Sequence, residues 1–478
     1  MSTSEDTPLY AAREPIFPRR VSGRFRRIKW WVMGIALAIY YITPWIRWDR
    51  GPNLPDQAVL VDLANRRFYW FWIEIWPQEF YFVAGLLIMA GLGLFLFTSV
   101  FGRVWCGYAC PQTVWTDLFI HVERWIEGDR NQRIRLWKSP WTWKKIRLRL
   151  AKWTVWLLIA MATGGAWVFY FTDAPTLARE LVAFDAPWIA YSTIAILTAT
   201  TFVFGGFMRE QVCIYMCPWP RIQAAMMDED SLTVAYRWWR GEPRGKHRKK
   251  EGAEKLGDCI DCGACVAVCP MGIDIRDGQQ LACITCALCI DACDAVMEKI
   301  GKPRGLIDYL ALSDEKREVA GLPPKPIWQH VFRPRVLVYF ILWAGIGAGL
   351  IWALFARPEI DFNVSAVRNP LYVTLADGSI RNTYDFRLRN KHGEEHPFRI
   401  SLTADDVPLR IRLEGTDDLV TYVPGDSTRE QRVFVIARKD SPAAKADKTP
   451  LRFWVEDVLT GERAWKDVVF FGKGAGSR

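Results

Sequence analysis

Eight of the chain's 12 cysteines lie between Cys259 and Cys293, in two runs of one pattern. The first run is Cys259, Cys262, Cys265 and Cys269, followed by Pro270. The second is Cys283, Cys286, Cys289 and Cys293, followed by Asp294. No other feature of the 478 residues limits the fold as tightly. In C-x2-C-x2-C-x3-C, three cysteines on a tight loop reach three irons of a [4Fe-4S] cube, and the fourth, beyond the turn, serves the neighbouring cube. The spacing therefore assigns Cys259, Cys262, Cys265 and Cys293 to one cluster, and Cys283, Cys286, Cys289 and Cys269 to a second. Zinc sites usually take two Cys-Cys pairs or Cys with His. No His lies between Cys259 and Cys293, so the reading is a bacterial-type double-cluster ferredoxin domain over 257–300.

All twelve cysteines fall between Cys106 and Cys293, and none lies beyond. Reduced thiols and labile clusters belong in a cytoplasm, whereas exported segments form disulfides or avoid Cys. The rule predicts a cytoplasmic middle and an exported, Cys-free tail. Membrane helices would separate them. After a polar segment, 1–29, that ends in a basic run, Trp30–Ile46 is apolar and flanked by Trp and Tyr, without a small-residue cleavage site. Four further stretches, near 80–100, 151–171, 187–207 and 336–356, have roughly the twenty residues needed to cross the hydrocarbon layer.

Lys and Arg set the orientation. The short segments 1–29 and 101–150 carry 17, against 5 in 47–79 and 173–186. By the positive-inside rule the N-terminus and cluster domain are cytoplasmic, and an odd number of helices exports the C-terminus. The net charge of +10 is thus explained by a bilayer rather than by nucleic acid, which is excluded as a partner. The aromatic stretch FYWFWIEIWPQEFYF within 47–79 is expected to lie along the outer interface. Residues 231–256 read as a charged linker, with a basic run that could touch anionic headgroups, and 301–335 as a cytoplasmic connector.

The other four cysteines form a second repeat. Cys106-x3-Cys110-Pro111 follows the second apolar stretch and Cys213-x3-Cys217-Pro218 the fourth, so the membrane domain, 30–230, repeats a unit of two helices closed by C-x3-C-P. The residue before Pro is biased away from helical geometry, which places Cys110 and Cys217 at the N-terminus of a following helix with Pro at its first position. A thiol there is a readier thiolate, and thiolates suit Cu(I) or electron-transfer metals. His121 reads as a structural hydrogen-bonder. All five His (121, 247, 330, 392 and 396) fall outside the apolar stretches, which argues against a membrane haem held by two imidazoles.

Beyond residue 358 the character changes. LYVTL, YDFRLRN, FRISL, LRIRL, LVTYV, RVFVIA, LRFWVED and DVVFF alternate in polarity and are separated by turn signals. Such a run predicts an Ig-like β-sandwich over 358–478, on the exported, periplasmic side. His392 and His396, in NKHGEEHP, read as turn polarity rather than metal ligands.

The segments VWCGYACPQTVW, CIYMCPWPRIQ, RGEPRG, GDCIDCGACVAVCPMGIDIRDGQQ and CITCALCIDACD, in this order before a terminal sandwich, resemble the CcoG/RdxA/FixG family, accessory to cbb-type haem–copper oxidases. Asp294 stands where a ferredoxin run has Pro. The resemblance implies a multi-domain, multi-pass protein of the bacterial inner membrane that reduces Cu(II) to Cu(I) for oxidase assembly. Cys106, Cys110, Cys213 and Cys217 would then be the copper-handling thiols. It also implies cbb-type oxidase subunits or copper-delivery proteins as partners and an electron donor that the sequence does not name; the oligomeric state is left open, a homodimer being one option. The membrane part is similar to NapH- and NosR-type proteins too. The alternatives are therefore an electron conduit between the quinol pool and a soluble partner, or a non-enzymatic assembly scaffold.

Overall fold

Each of the five apolar stretches is helical, and local chemistry sets where the helices begin. The computed structural model describes residues 15–51, 54–245, 256–356, 360–404, 407–416, 418–425 and 427–476. Helix α1 spans Arg24–Ile42, α2 Tyr81–Phe101, α3 Pro111–Glu127 and α4 Trp143–Val168. Helix α5 spans Trp188–Thr201 and continues as π-helix through Phe202–Met208. The shorter α6 (Trp219–Met226), α7 (Ala264–Val268) and α8 (Leu288–Lys299) follow, then α9 (Pro334–Ala356). Segment 1–14 and the basic run 246–255, expected as an N-terminal tail and a linker, lie outside the described residues.

Among the described residues, three helices are long and apolar enough to cross a membrane: Tyr81–Phe101, Trp188–Met208 and Pro334–Ala356. The other two differ because charge lies inside them. Arg24, Arg26, Arg27 and Lys29 occupy the first turns of α1, and Lys144, Lys145, Arg147, Arg149 and Lys152 the first half of α4. Helices α2 and α9 approach closely where Gly85 meets Leu350 and Gly347 meets Met89, as small residues allow in lipid.

Within 47–79 the chain forms an antiparallel meander of β1 (Val59–Asp62), β2 (Arg67–Trp70) and β3 (Ile73–Ile75), the last two at the start of the aromatic stretch. Aromatic and β-branched residues favour strands there. Within 231–256, β4 (Thr233–Tyr236) pairs antiparallel with β5 (Ile307–Leu310). The cysteine domain thus recruits strands from both its flanks, which the linker and connector readings left out.

The chain divides into two units, Met1–Ile46 with Gln57–Leu350, and Arg47–Asp56 with Ile351–Arg478. The second contains the Ig-like sandwich. One sheet runs β10 (Leu409–Leu413), β12 (Thr428–Ala437), β8 (Ile380–Asn390), β6 (Ile360–Ala366), with β7 (Val373–Thr374) also on β8. The other runs β11 (Val420–Val423), β9 (His396–Thr403), β13 (Lys448–Asp457), β14 (Arg463–Phe471). Alternate residues of β8, from Ile380 through Tyr384 and Phe386 to Leu388, face inward against Phe398, Phe453 and Phe470, the period-two burial of packed sheets. Strand β6 was not anticipated; Asp361, Asn363 and Ser365 dilute its apolar signal.

The apolar stripe of α3 packs on α4: the Phe119 and Trp156 rings stack at 5.2 Å, both fully buried. Where these helices carry charge, the charges meet. Glu123 pairs with Arg133 (2.6 Å), Arg209 (2.6 Å) and Lys152 (3.2 Å), and Glu127 with Lys152 (3.0 Å) and Arg149 (3.1 Å). Burial pushes the Glu123 carboxyl up, but Arg209, Lys152 and Arg133 outweigh it and hold the pKa at about 2, below the ordinary 4.5. A carboxyl held low adds stability above its ordinary pKa and loses it as pH falls from about 4.5 toward 2. Glu123→Gln leaves three cations facing one another and is expected to destabilise the helical unit by about 3–5 kcal/mol. The measure is the thermal unfolding midpoint in detergent at neutral pH; an unchanged midpoint would show the network to be energetically silent.

Candidate iron–sulfur and thiol site

The two cysteine runs fold alike. In the first, Asp261 and Gly263 on either side of Cys262 take left-handed backbone (φ 52° and 62°); in the second, Thr285 and Ala287 flank Cys286 in the same way (φ 55° and 59°). Such residues turn the chain sharply, so successive sulfurs face one space. In non-glycine residues this conformation costs roughly 1–3 kcal/mol and persists only where the surroundings impose it. Each loop then enters a helix, α7 or α8. Cys269 caps the end of α7, and Cys293 lies one turn beyond Cys289 on α8.

The result is two cavities with crossed membership. One is lined by Cys259, Cys262, Cys265 and Cys293. The other is lined by Cys269, Cys283, Cys286 and Cys289, with Cys265 in the shared wall. Strands β4 and β5 contribute Val234 to one and Tyr236 and Ile307 to the other. Burial pushes up the thiols of Cys265 and Cys283, to about 11, and those of Cys269 and Cys293, to about 12. Four sulfurs around a largely apolar space, where Arg276 beside Cys265 and Arg103 beside Cys283 oppose the effect of burial without reversing it, fit a group that is itself cationic iron.

The C-x3-C-P cysteines gather against the second cavity. Cys106 lies in the short helix Val104–Tyr108, and Cys110 is the N-cap of α3 with Pro111 at its first position. Cys213 lies in a π-helical turn, Val212–Met216, and Cys217 ends it; the N-cap of α6 is Pro218 rather than Cys217, because the extra residue of the π-turn shifts the register. Cys106 and Cys213 belong to one apolar cluster with Cys269 and Cys286. The approach is tightest at Gly107: a Cβ there would stand 2.6 Å from the Ile284 carbonyl oxygen and 3.0 Å from the Cys286 backbone. Tyr108 Oη donates to the Cys286 carbonyl (3.2 Å), and Tyr309 Oη to that of Thr285 (3.0 Å). Cys106 Sγ donates to Gln223 Oε1 (3.0 Å).

Burial raises the Cys106 thiol, and raises Cys213 to about 12, with the neighbouring C-x3-C-P sulfurs adding to the push. Buried Arg103 opposes it at Cys106, Cys213 and Cys283 alike. A third cavity sets Gln112, Thr116, Asp117 and Arg209 beside Cys213. His121 is exposed and packs edge-on against Trp30 (4.9 Å) instead of bonding inward.

Three residues the sequence reading passed over hold this arrangement. Asp291 on α8 accepts from Phe25 N (3.2 Å) and Arg26 N (2.7 Å), capping α1 from 265 residues away. Arg103 donates to the Leu281 carbonyl, joining the end of α2 to the second loop. Gln223 receives the Cys106 thiol. Asp291 and Gln223 lie within the motif stretches and Arg103 borders one, but neither spacing nor composition sets them apart.

The fold and its cavities define a membrane-anchored dicluster iron–sulfur electron-transfer protein carrying an Ig-like domain. Comparison agrees: residues 208–312 match the family described as "4Fe-4S dicluster domain", 82–130 "4Fe-4S binding domain", and 350–473 "IG-like fold at C-terminal of FixG". The chain is 68% identical to Protein RdxB of Cereibacter sphaeroides, over 99% of this chain and 100% of that one. It is 63% identical to Protein RdxA of the same organism (94% and 95%) and 58% to Nitrogen fixation protein FixG of Rhizobium meliloti (90% and 88%). It belongs to the RdxA/FixG family. A crystal structure of a FixG-related protein from Vibrio parahaemolyticus aligns with 24% of this chain and 99% of that one, at 15% identity and a TM-score of 0.21.

Because backbone atoms meet Gly107, a methyl group there must move the second cysteine loop. Gly107→Ala is expected to lower iron and sulfide retained after anaerobic purification. Gly91→Ala in α2, where a Cβ meets nothing within 4 Å, should leave both unchanged. Equal iron in the two variants would show that the contact does not position the loop.

Proposed function

We propose that this protein takes electrons from a low-potential donor and reduces Cu(II) to Cu(I) at Cys106, Cys110, Cys213 and Cys217, for assembly of a cbb-type cytochrome oxidase. In this reading Cys259, Cys262, Cys265 and Cys293 hold one [4Fe-4S] cluster, and Cys269, Cys283, Cys286 and Cys289 the other. When bound, the clusters supply one-electron transfer, matching the single electron that separates Cu(II) from Cu(I). One observation carries the proposal: the Cys106–Cys110 turn packs directly on the Cys283–Cys289 loop, with Gly107 leaving no room for an intervening side chain.

The residues around the thiols suit this task. Burial keeps the Cys106 and Cys213 thiols protonated until a cation replaces their protons, and thiolates favour Cu(I) over Cu(II), so the product is the better-bound state. Arg103 offsets part of the negative charge that ligation concentrates there. The polar cavity beside Cys213 offers the substrate ion an approach. The surplus of Lys and Arg in 1–29 and 101–150, and the absence of Cys beyond Cys293, support cytoplasmic clusters and a periplasmic Ig-like domain. Oxidase subunits or copper-delivery proteins would receive the Cu(I).

The test is anaerobic protein in which all four C-x3-C-P cysteines are Ser. It should retain iron and sulfide, lose tight Cu(I) binding, and reduce Cu(II) under dithionite no faster than the reaction without protein, with Cu(I) read by a specific chelator. Parental reduction rates in that variant would remove these thiols from the reaction.

A further inference from the structure

The Ig-like unit holds a second group of metal-ligating side chains that the copper reading does not use. His392 Nε2, His396 Nδ1 and an Asp457 carboxylate oxygen all lie within 4.8 Å of one another. His396 opens β9 and Asp457 closes β13, strands paired along the same sheet. The two imidazoles stack at 4.2 Å and 7°. Asp457 is fully buried and His396 nearly so.

The cluster is held from outside in the way ligands are. Asp457 Oδ1 accepts from Leu459 N (2.8 Å), which turns Oδ2 toward both imidazoles. Asn390, also fully buried, fixes the loop bearing His392: its Nδ2 donates to the Glu394 and Val423 carbonyls, and its Oδ1 accepts from His392 N. Outer contacts of this kind orient first ligands in metal sites. Oδ2 stands 2.6 Å from His396 Nδ1 and 3.7 Å from His392 Nε2. A tetrahedral ion with bonds near 2.0–2.1 Å spaces its ligand atoms by about 3.3–3.5 Å, a value these two distances bracket. Plain turn polarity, the reading drawn from the sequence, accounts for the His396–Asp457 hydrogen bond but not for a second ring stacked on the first and aimed at the same oxygen.

We propose that His392, His396 and Asp457 form a binding site for a divalent transition cation, with Cu(II) as its ion in the cell. Two neutral imidazoles and a carboxylate form a borderline set that takes Cu(II) or Zn(II), with Cu(II) the tighter. The ion replaces the proton that now lies between His396 and Asp457. The choice of Cu(II) rests on the copper reading above; the site itself does not.

The experiment uses the full chain with the four C-x3-C-P cysteines changed to Ser and its clusters oxidised, titrated with Zn(II) against a chromophoric chelator and then with Cu(II). One Zn(II) per chain is expected, displaced by Cu(II), whose EPR spectrum carries nitrogen couplings from two imidazoles. In that background His392→Ala should raise the Zn(II) Kd at least tenfold. Asp457→Asn, which keeps the hydrogen-bonded turn but removes the anion, should do the same without shifting the unfolding midpoint. Absence of Zn(II) binding in the four-serine chain, or an affinity indifferent to His392→Ala, would overturn the site. Parental protein that reduces Cu(II) while its four-serine form binds no Zn(II) rejects this inference alone. A bound Zn(II) that Cu(II) cannot displace rejects copper as the ion.

Discussion

Closeness of two backbones, at Gly107 and at Ile284–Cys286, is the constraint on which the site depends. Nothing larger than hydrogen fits between them, so a turn at the end of one helical pair and a loop some 180 residues later share a wall. Cys106, Cys213, Cys269 and Cys286 thereby enter one apolar cluster. Burial there has two effects: the thiols of Cys106, Cys213 and Cys269 are pushed up and keep their protons until a cation displaces them, and charge moving among the sulfurs meets few solvent dipoles that must reorganise.

Such a wall must be held against the cost of burying polar groups, and ions do the holding. Asp291 caps α1 across the interface, while Arg26 pairs with buried Asp117 at 2.9 Å. Glu123 and Glu127 on α3 gather cations from α4, the segment between the two helices and the turn before Cys213. Buried pairs of this kind contribute little net stability over an apolar equivalent, yet removing one partner is costly. They therefore act as register devices: each helix has one position in which its charge is met. This is also why α1 and α4 carry basic residues that would be unfavourable in a helix exposed to lipid along its whole length.

The Ig-like unit uses different physics. Its sheets close over Tyr384, Phe386, Phe398 and Phe453, whose rings meet edge to face at 4.8–5.2 Å where Phe453 faces Tyr384 and Phe386. Polar residues that enter that core bring partners: Asn390, at the end of β8 beside His392, bonds the Glu394 and Val423 carbonyls, and Tyr384 donates its hydroxyl to the Val469 carbonyl at 2.8 Å. A buried carboxylate under two imidazoles departs from this economy, and it is what makes the loop chemically distinct.

Much of this was legible in the sequence because it is local. The C-x2-C-x2-C-x3-C runs, the Pro after Cys110 and Cys217, and the period-two strands from YDFRLRN onward each constrain their own few residues, and a period or spacing is readable without the fold. Charge counted by segment does not reveal pairing: the partners of Lys152 and Arg149, Glu123 and Glu127, lie on another helix. The crossing of Cys269 and Cys293 between cavities was expected from spacing, but the strands covering them, Thr233–Tyr236 and Ile307–Leu310, were taken for linker because each is too short to register alone. Only the tertiary structure decided that Gly107 meets Ile284, that Asp291 caps α1 and that His392 stacks on His396. Those are contacts between residues distant in the chain or turned toward each other by a loop, and their energy depends on shape and burial, which no run of neighbouring residues encodes.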